Sequence, residues 1–248
     1  MKVRLYSIPG SHPSMAARLM LEAKGIEYKR TDLLSPMHRV VLRALRFPGK
    51  TVPAVKADGR KIQGTREVAA WLDGVRPEPP LVPADRARRS AVEEAERFGD
   101  EELQPRVRRI TWWAMQRDRS GVESFLAGAR LGLPVPLLAR TARPAVWAAS
   151  RANSATDEAA REDLAALPAI FDRVDELIAE GVLDGEVLNV ADFQIATSTR
   201  LLMAFEDLRP ALEARPAGRH ALRVVPDFPG RVPAGVLDEA ALASVAPL

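Results

Sequence analysis

The sequence predicts an α/β domain followed by an all-α domain. Three observations carry that reading. Residues 1–76 run as strand, helix, strand, loop, strand, hairpin, strand and helix. A Pro-rich stretch from Gly74 to Asp85 then holds the chain extended, because each proline fixes φ and restricts the residue before it. Beyond it, apolar residues recur three and four apart, the period of a helix with one buried face. A chain of 248 residues exceeds one typical domain and has ample length for a core.

Taken in order, the opening strand runs straight into the hydroxyl-bearing turn Ser7-Ile8-Pro9-Gly10-Ser11, which opens a helix. That helix is read from Met15, Leu19, Met20 and Ala23, with Arg18, Glu22 and Lys24 on the wetter side and Gly25 ending it. Ile26 to Leu34 reads as a second strand and Lys50-Thr51-Val52-Pro53-Ala54-Val55 as a third, although proline is foreign to a regular central strand. Asp58-Gly59 is a two-residue hairpin signal between Val55 and Ile62, so the third and fourth strands are expected to be antiparallel. Gly64-Thr65-Arg66-Glu67 leads into a helix over Val68 to Leu72, with Thr65 as the expected N-cap.

In the second half, Asp85 reads as the N-cap of a helix reaching about Gln116, kinked at Pro105. Glu158 to Glu180 is a further helix, closed by Gly181 and carrying Pro168 inside. In Asn189-Val190-Ala191-Asp192, Asn189 can cap first-turn N–H groups while Asp192 reaches back, so both are read as a structural helix cap. The Leu-, Ala- and Pro-rich stretch from Phe125 to Trp147 lies in a candidate insertion, 118–157. It either lines a cavity or adds core or dimer contacts; the second is favoured, and no site residue is taken from it. Val225 to Pro233 has turn chemistry and suggests an ordered surface tail. The expected division is 1–76, a linker at 77–83, a helical domain at 84–224 and a tail at 225–248.

The chemistry concentrates at the first helix start. N–H groups there lack intrahelical acceptors and the helix dipole adds positive charge, so an anion such as a thiolate is favoured beside Ser11. Ser14, three residues on, is a reserve hydroxyl. His12 has no acid near it in sequence and is expected to be a solvated turn residue.

This order of elements, with Ser-x-x-Ser at the first helix and Val52-Pro53 in the third strand, resembles the thioredoxin-fold domain of the glutathione transferases. Ser11-His12-Pro13 is similar to the Ser-x-Pro turn of the theta class, and Asp32, His38, Val52-Pro53 and Thr65 fit that class's spacing. The Asn189 to Asp192 box resembles the family's capping box in its helical domain. The resemblance implies a thioredoxin-like N-terminal domain joined to an all-helical C-terminal domain. It implies Ser11 as the thiolate-stabilising catalytic residue, and a thiol site formed by His38, Val52, Pro53, Gly64, Thr65 and Arg66. The Val52-Pro53 bond is expected to be cis, turning the Val52 peptide toward the thiol. Thr65 and the following helix start would hold a carboxylate, but Gly64 stands where the family usually has Glu or Gln, with Gln63 one residue earlier as a reserve. Weak glutathione binding, improved by Gly64→Glu, is therefore expected.

With no cysteine, the chain has no disulfide, thiolate metal site or redox cysteine of its own. The net charge of +3, from 36 basic and 33 acidic residues, is small, and basic residues alternate with acids between Arg86 and Glu102 rather than forming a nucleic-acid stripe. No signal-peptide pattern opens the sequence and no apolar run reaches about 18 residues, so a soluble cytoplasmic protein without membrane or metal is expected. The expected function is conjugation of a low-molecular-weight thiol, glutathione or another, to a hydrophobic electrophile, with no tightly bound cofactor and a homodimeric state. One alternative is a non-catalytic binding or interaction protein of the same fold that has lost the thiol site; the other is an isomerase or dehalogenase-like enzyme.

Overall fold

The computed structural model describes every residue from 1 to 248 except 133 and 247, so that residue 133 of the candidate insertion lies outside the described residues. A four-stranded sheet with order β2-β1-β3-β4 organises the first part of the chain. β1 (Val3–Ser7) pairs in parallel with β2 (Lys29–Asp32) and antiparallel with β3 (Ala54–Ala57), which pairs antiparallel with β4 (Arg60–Gln63). Asp58 and Gly59 make the β3–β4 turn with φ of 44° and 91°, the left-handed pair that matches strand twist.

Two of the expected strands are shorter than their apolar runs. β2 spans only Lys29–Asp32, and β3 starts at Ala54 because Pro53 brings no N–H to a ladder and follows a cis bond. The strand alternation divides the sheet's two faces. Val3, Leu5, Val55 and Ile62 face the main core with α1 (His12–Ala23) and α3 (Thr65–Val75). Tyr6, Ala54 and Leu33 face a smaller cluster under α2 (His38–Ala44), where the Tyr6 and Phe47 rings meet edge-on at 5.5 Å.

Lys24 reverses its expected placement on the wet side of α1. It is 1 % exposed, and its Nζ lies 2.6 Å from an Asp73 carboxylate oxygen while donating to the carbonyls of Arg76 (2.7 Å) and Pro79 (2.5 Å). The end of α3 and the proline segment leave carbonyls without donors, and the lysine head supplies them. Asp73 in turn accepts the N–H groups of Leu81 and Val82, both at 2.9 Å.

Asp85 caps α4 (Arg86–Phe98), accepting from the Arg88 N–H. The helix continues through a π-helical turn, Gly99–Leu103, into α5 (Gln104–Arg117), so the irregularity falls just before Pro105. α6 (Val122–Phe125), α7 (Val135–Arg140) and α8 (Arg143–Ala152) follow, then the long α9 (Asp157–Ala179) with Pro168 inside. α10 (Val190–Leu202) is buried along its whole length and packs against α1. The main core is continuous from Leu5 through Ile195.

At the start of α10 the capping box is formed: Asn189 Oδ1 accepts from Ala191 N (2.9 Å), and Asp192 Oδ2 accepts from Asn189 N (2.8 Å). α11 (Arg209–Ala214) and α12 (Pro216–Val224) complete the helical part. The tail is more than turns. Val232 bridges to Phe205, and Glu239–Ser244 forms α13, with Leu237, Ala241 and Val245 buried.

Candidate functional site

The turn between β1 and α1 is built by Gly10 and Ser11. Gly10 has φ +71°, and a Cβ there would stand 2.8 Å from the Phe125 ring, so the turn needs glycine on both counts. Phe125 is also wedged against Gly230, whose own Cβ would overlap its ring; α6 and the tail therefore both brace this turn. Ser11 is the N-cap of α1, its Oγ accepting from Ser14 N at a long 3.4 Å. Among the described residues its own O–H donates to no acceptor.

A cavity of about 650 Å³ opens from this turn. One side carries Ser11, His12, His38, Val52, Pro53, Gly64, Thr65 and Arg66, which brings together most of the residues singled out in the sequence. The Val52-Pro53 bond is cis, and among the described residues neither the N–H nor the C=O of Val52 is engaged. The start of α3 faces the same space. Its N-cap is Gly64, with φ 104° and no side-chain cap, rather than Thr65, which is the first helical residue and buried. The first N–H groups of α3 are thus open.

Two candidates stand elsewhere. Ser14 is 3 % exposed and lines a second cavity of about 500 Å³, not the first, whereas Ser11 borders both. Gln63 is a brace: its side chain accepts from Gly49 N (2.6 Å) and donates to the Thr51 carbonyl (2.5 Å), fixing the loop before Pro53. Asp192 lies away from the cavity inside its capping box, with His220 Nε2 3.3 Å from it.

His12 is buried rather than solvated. Its Nδ1 is 2.9 Å from Ser198 Oγ on α10, and that hydroxyl donates its hydrogen to the Gln194 carbonyl at 3.0 Å. The imidazole must then donate from Nδ1, which leaves an unshared pair on Nε2. Burial, helped by the Arg108 charge, holds its pKa well below 6.5, so the ring is neutral. His38 is also buried, its Nδ1 unpartnered and its pKa lowered chiefly by desolvation.

Several cavity residues escaped the sequence reading. Glu67, in the first turn of α3, folds its carboxylate back so that a Cβ on Gly64 would overlap its Oε2. Gly64→Glu therefore meets both an acid already in place and a backbone conformation foreign to L side chains. Arg66 is not a free cation: its guanidinium donates to Glu96 Oε2 at 2.8 and 2.5 Å, tying α3 to α4, while burial pushes the Glu96 carboxyl up despite that partner. Asp100 on the π-helical turn and Arg108 on α5 also face inward. The opposite wall is apolar, with Trp112, Met115, Val122, Phe125 and Val146, so the 118–157 segment contributes directly to the cavity. A stripe of cavity residues at helical spacing on α5 was the available signal for Arg108; nothing local marked 118–157.

Residues 5–80 match the family model for the glutathione S-transferase N-terminal domain. Comparison with curated proteins finds no match. Among solved structures, glutathione transferase F2 from Populus trichocarpa superposes with a TM-score of 0.60 at 13 % identity, over 98 % of this chain and 97 % of that one. A glutathione S-transferase from Rhodospirillum rubrum F11 gives 0.58 at 21 % identity over 95 % and 98 %. The β-etherase LigF from Sphingobium sp. strain SYK-6 gives 0.59 at 20 % identity over 90 % and 99 %. The fold is similar to that of the glutathione transferases over the whole chain. In the transferase-like fold, the cavity lies where the thioredoxin-like sheet domain meets the helical domain, with a polar wall from the first and a mostly apolar wall from the second. No helix is long and apolar enough to cross a membrane among the described residues.

Proposed function

We propose that this chain joins a low-molecular-weight thiol, glutathione being the first candidate, to a hydrophobic electrophile. The observation that carries the reading is convergence on one cavity of the Ser11 hydroxyl, the free Val52 peptide edge and the open start of α3, all facing an apolar wall. A peptide-like thiol would lie along Val52 as an added strand, with its carboxylate on Thr65 and the α3 N–H groups. Glu67 would take the ammonium group in place of the acid that Gly64 lacks.

The sulfur would then sit at Ser11, whose free O–H donates to the thiolate and favours ionisation, alongside the α1 dipole. The thiol proton leaves to solvent. The thiolate sulfur forms a bond to the electrophilic carbon, and the leaving group departs with its electron pair. Proximity in a largely apolar cavity supplies the rest of the acceleration.

Calorimetric titration with glutathione and other biological thiols, followed by a conjugation assay, tests the reading. Saturable thiol binding and thiol-dependent conjugation are expected. Absence of binding by every thiol would favour a binding protein of the same fold without a thiol site. The same reading carries a homodimer, a cytoplasmic setting and a role in detoxification, of which sedimentation velocity tests the first.

A further inference from the structure

The cavity side of α5 carries Gln104, Arg108, Thr111, Trp112 and Met115 at helical spacing. Three arginines fall within about one turn of this helix, and two have partners: Arg106 pairs with Glu102 at 2.6 Å and Arg109 with Asp163 at 2.7 Å. Arg108 points instead toward the cavity and, among the described residues, its guanidinium has no ion pair and no hydrogen bond. Of the three acids that line the cavity, Glu67 lies folded over Gly64 at the start of α3 and makes no ion pair with Arg108, and the other two serve other groups. Glu96 holds Arg66 at 2.5 Å, and Asp100 Oδ1 accepts from the Gln104 and Gln194 amides, each at 3.1 Å. Asp100 reaches Arg108 only through longer-range attraction, and burial draws the guanidinium pKa down.

His12 beside it is neutral and supplies no negative charge. A half-buried cation without a counter-ion is costly, and a planar fork of donors matches a carboxylate best. The residues read as thiol-binding all come from the first 67 positions, whereas Arg108 stands among Thr111 and Trp112 on the helical wall. We infer that the second substrate is an apolar electrophile bearing a carboxylate, which pairs with Arg108. The word electrophile rests on the transferase reading; the anion subsite does not.

The test separates the two. Unreactive para-phenylbenzoate and para-phenylbenzamide are titrated into the full chain by calorimetry, and kcat/KM is compared for para-(chloromethyl)benzoate and its methyl ester with glutathione. The acid is expected to bind about ten-fold or more tightly than the amide, and to react with a similar preference over the ester. Arg108→Met should bring both ratios near unity, while Arg108→Lys, which keeps the charge but loses the fork, should retain part of each. Equal or undetectable binding of acid and amide by the wild type, or a preference that survives R108M, overturns the inference. Acid preference in binding with no conjugation of either electrophile would instead overturn the transferase reading and leave the anion subsite standing.

Discussion

The Glu67 carboxylate lies folded back over Gly64, in the volume that any side chain at position 64 would need. Three residues thus separate the acid in sequence from the glycine whose side-chain volume it fills. Glu67→Gln is expected to weaken glutathione binding about ten-fold or more, the loss of a charge-assisted contact. Gly64→Glu is expected to bring no gain and to cost about 1–3 kcal/mol of stability, because φ 104° and ψ 152° suit glycine alone. Calorimetry and urea unfolding check both; a Gly64→Glu chain that binds glutathione more tightly would show that Glu67 does not fill this role.

Ser11 combines a cap with the thiolate contact proposed for it, and one substitution separates the two. Its Oγ accepts from Ser14 N at 3.4 Å, a weak cap, while its O–H stays free for a sulfur. Ser11→Ala should therefore reduce stability only slightly, about 0.5 kcal/mol at the low end for a lost cap. Conjugation should fall about ten-fold or more with thiol affinity barely changed, since the lost interaction strengthens as charge develops. Single-turnover rates beside calorimetric Kd values check it, and equal rates would remove Ser11 from the chemistry.

What was legible in the sequence was what is local. Asp58-Gly59, the Asp85 cap, the Asn189 to Asp192 box and Pro53 each act within a few residues, and each adopts the expected geometry. Misreadings came from partners far along the chain. Lys24 looks solvated until the carbonyls of Arg76 and Pro79 surround it, and His12 until Ser198 arrives from 186 residues away. The apolar segment around Phe125 has no period that marks a cavity wall; only its contacts with Gly10 and Gly230 place it there.

His12 and His38 make stability depend on pH. Both have folded-state pKa values held below 6.5, first by burial and then by a nearby arginine. The unfolded chain therefore takes up their protons first, so their contribution is fully present above about pH 6.5 and is lost as pH falls below that value through the lower folded-state pKa values. The buried carboxyls of Glu96, Asp163 and Asp192, pushed up by desolvation, act with the opposite sign. His12→Asn, which keeps a donor for Ser198 but does not titrate, isolates the first effect. Its urea midpoint should fall less than that of the wild type between about pH 7 and about pH 5; parallel curves would contradict a buried neutral His12.

Lys24 offers the largest expected loss of stability outside the cavity. Its ammonium group meets Asp73 at 2.6 Å and two carbonyls, while Asp73 also holds the Leu81 and Val82 N–H groups, so one cluster fixes α1, the end of α3 and the proline segment together. Lys24→Met fits the apolar stem but removes the ammonium partner of Asp73, which keeps only the Leu81 and Val82 N–H groups, and the donor of the carbonyls around it. Breaking a buried pair by removing one partner costs about 3–5 kcal/mol, and the 22 % exposure of Asp73 places the expected value near the lower end. The double variant Lys24→Met/Asp73→Asn should recover part of that loss, because the stranded charge is gone. Urea unfolding of the three chains measures the coupling: an Lys24→Met chain within about 0.5 kcal/mol of wild type would mean that water reaches the lysine head and that the cluster does not hold the segments together.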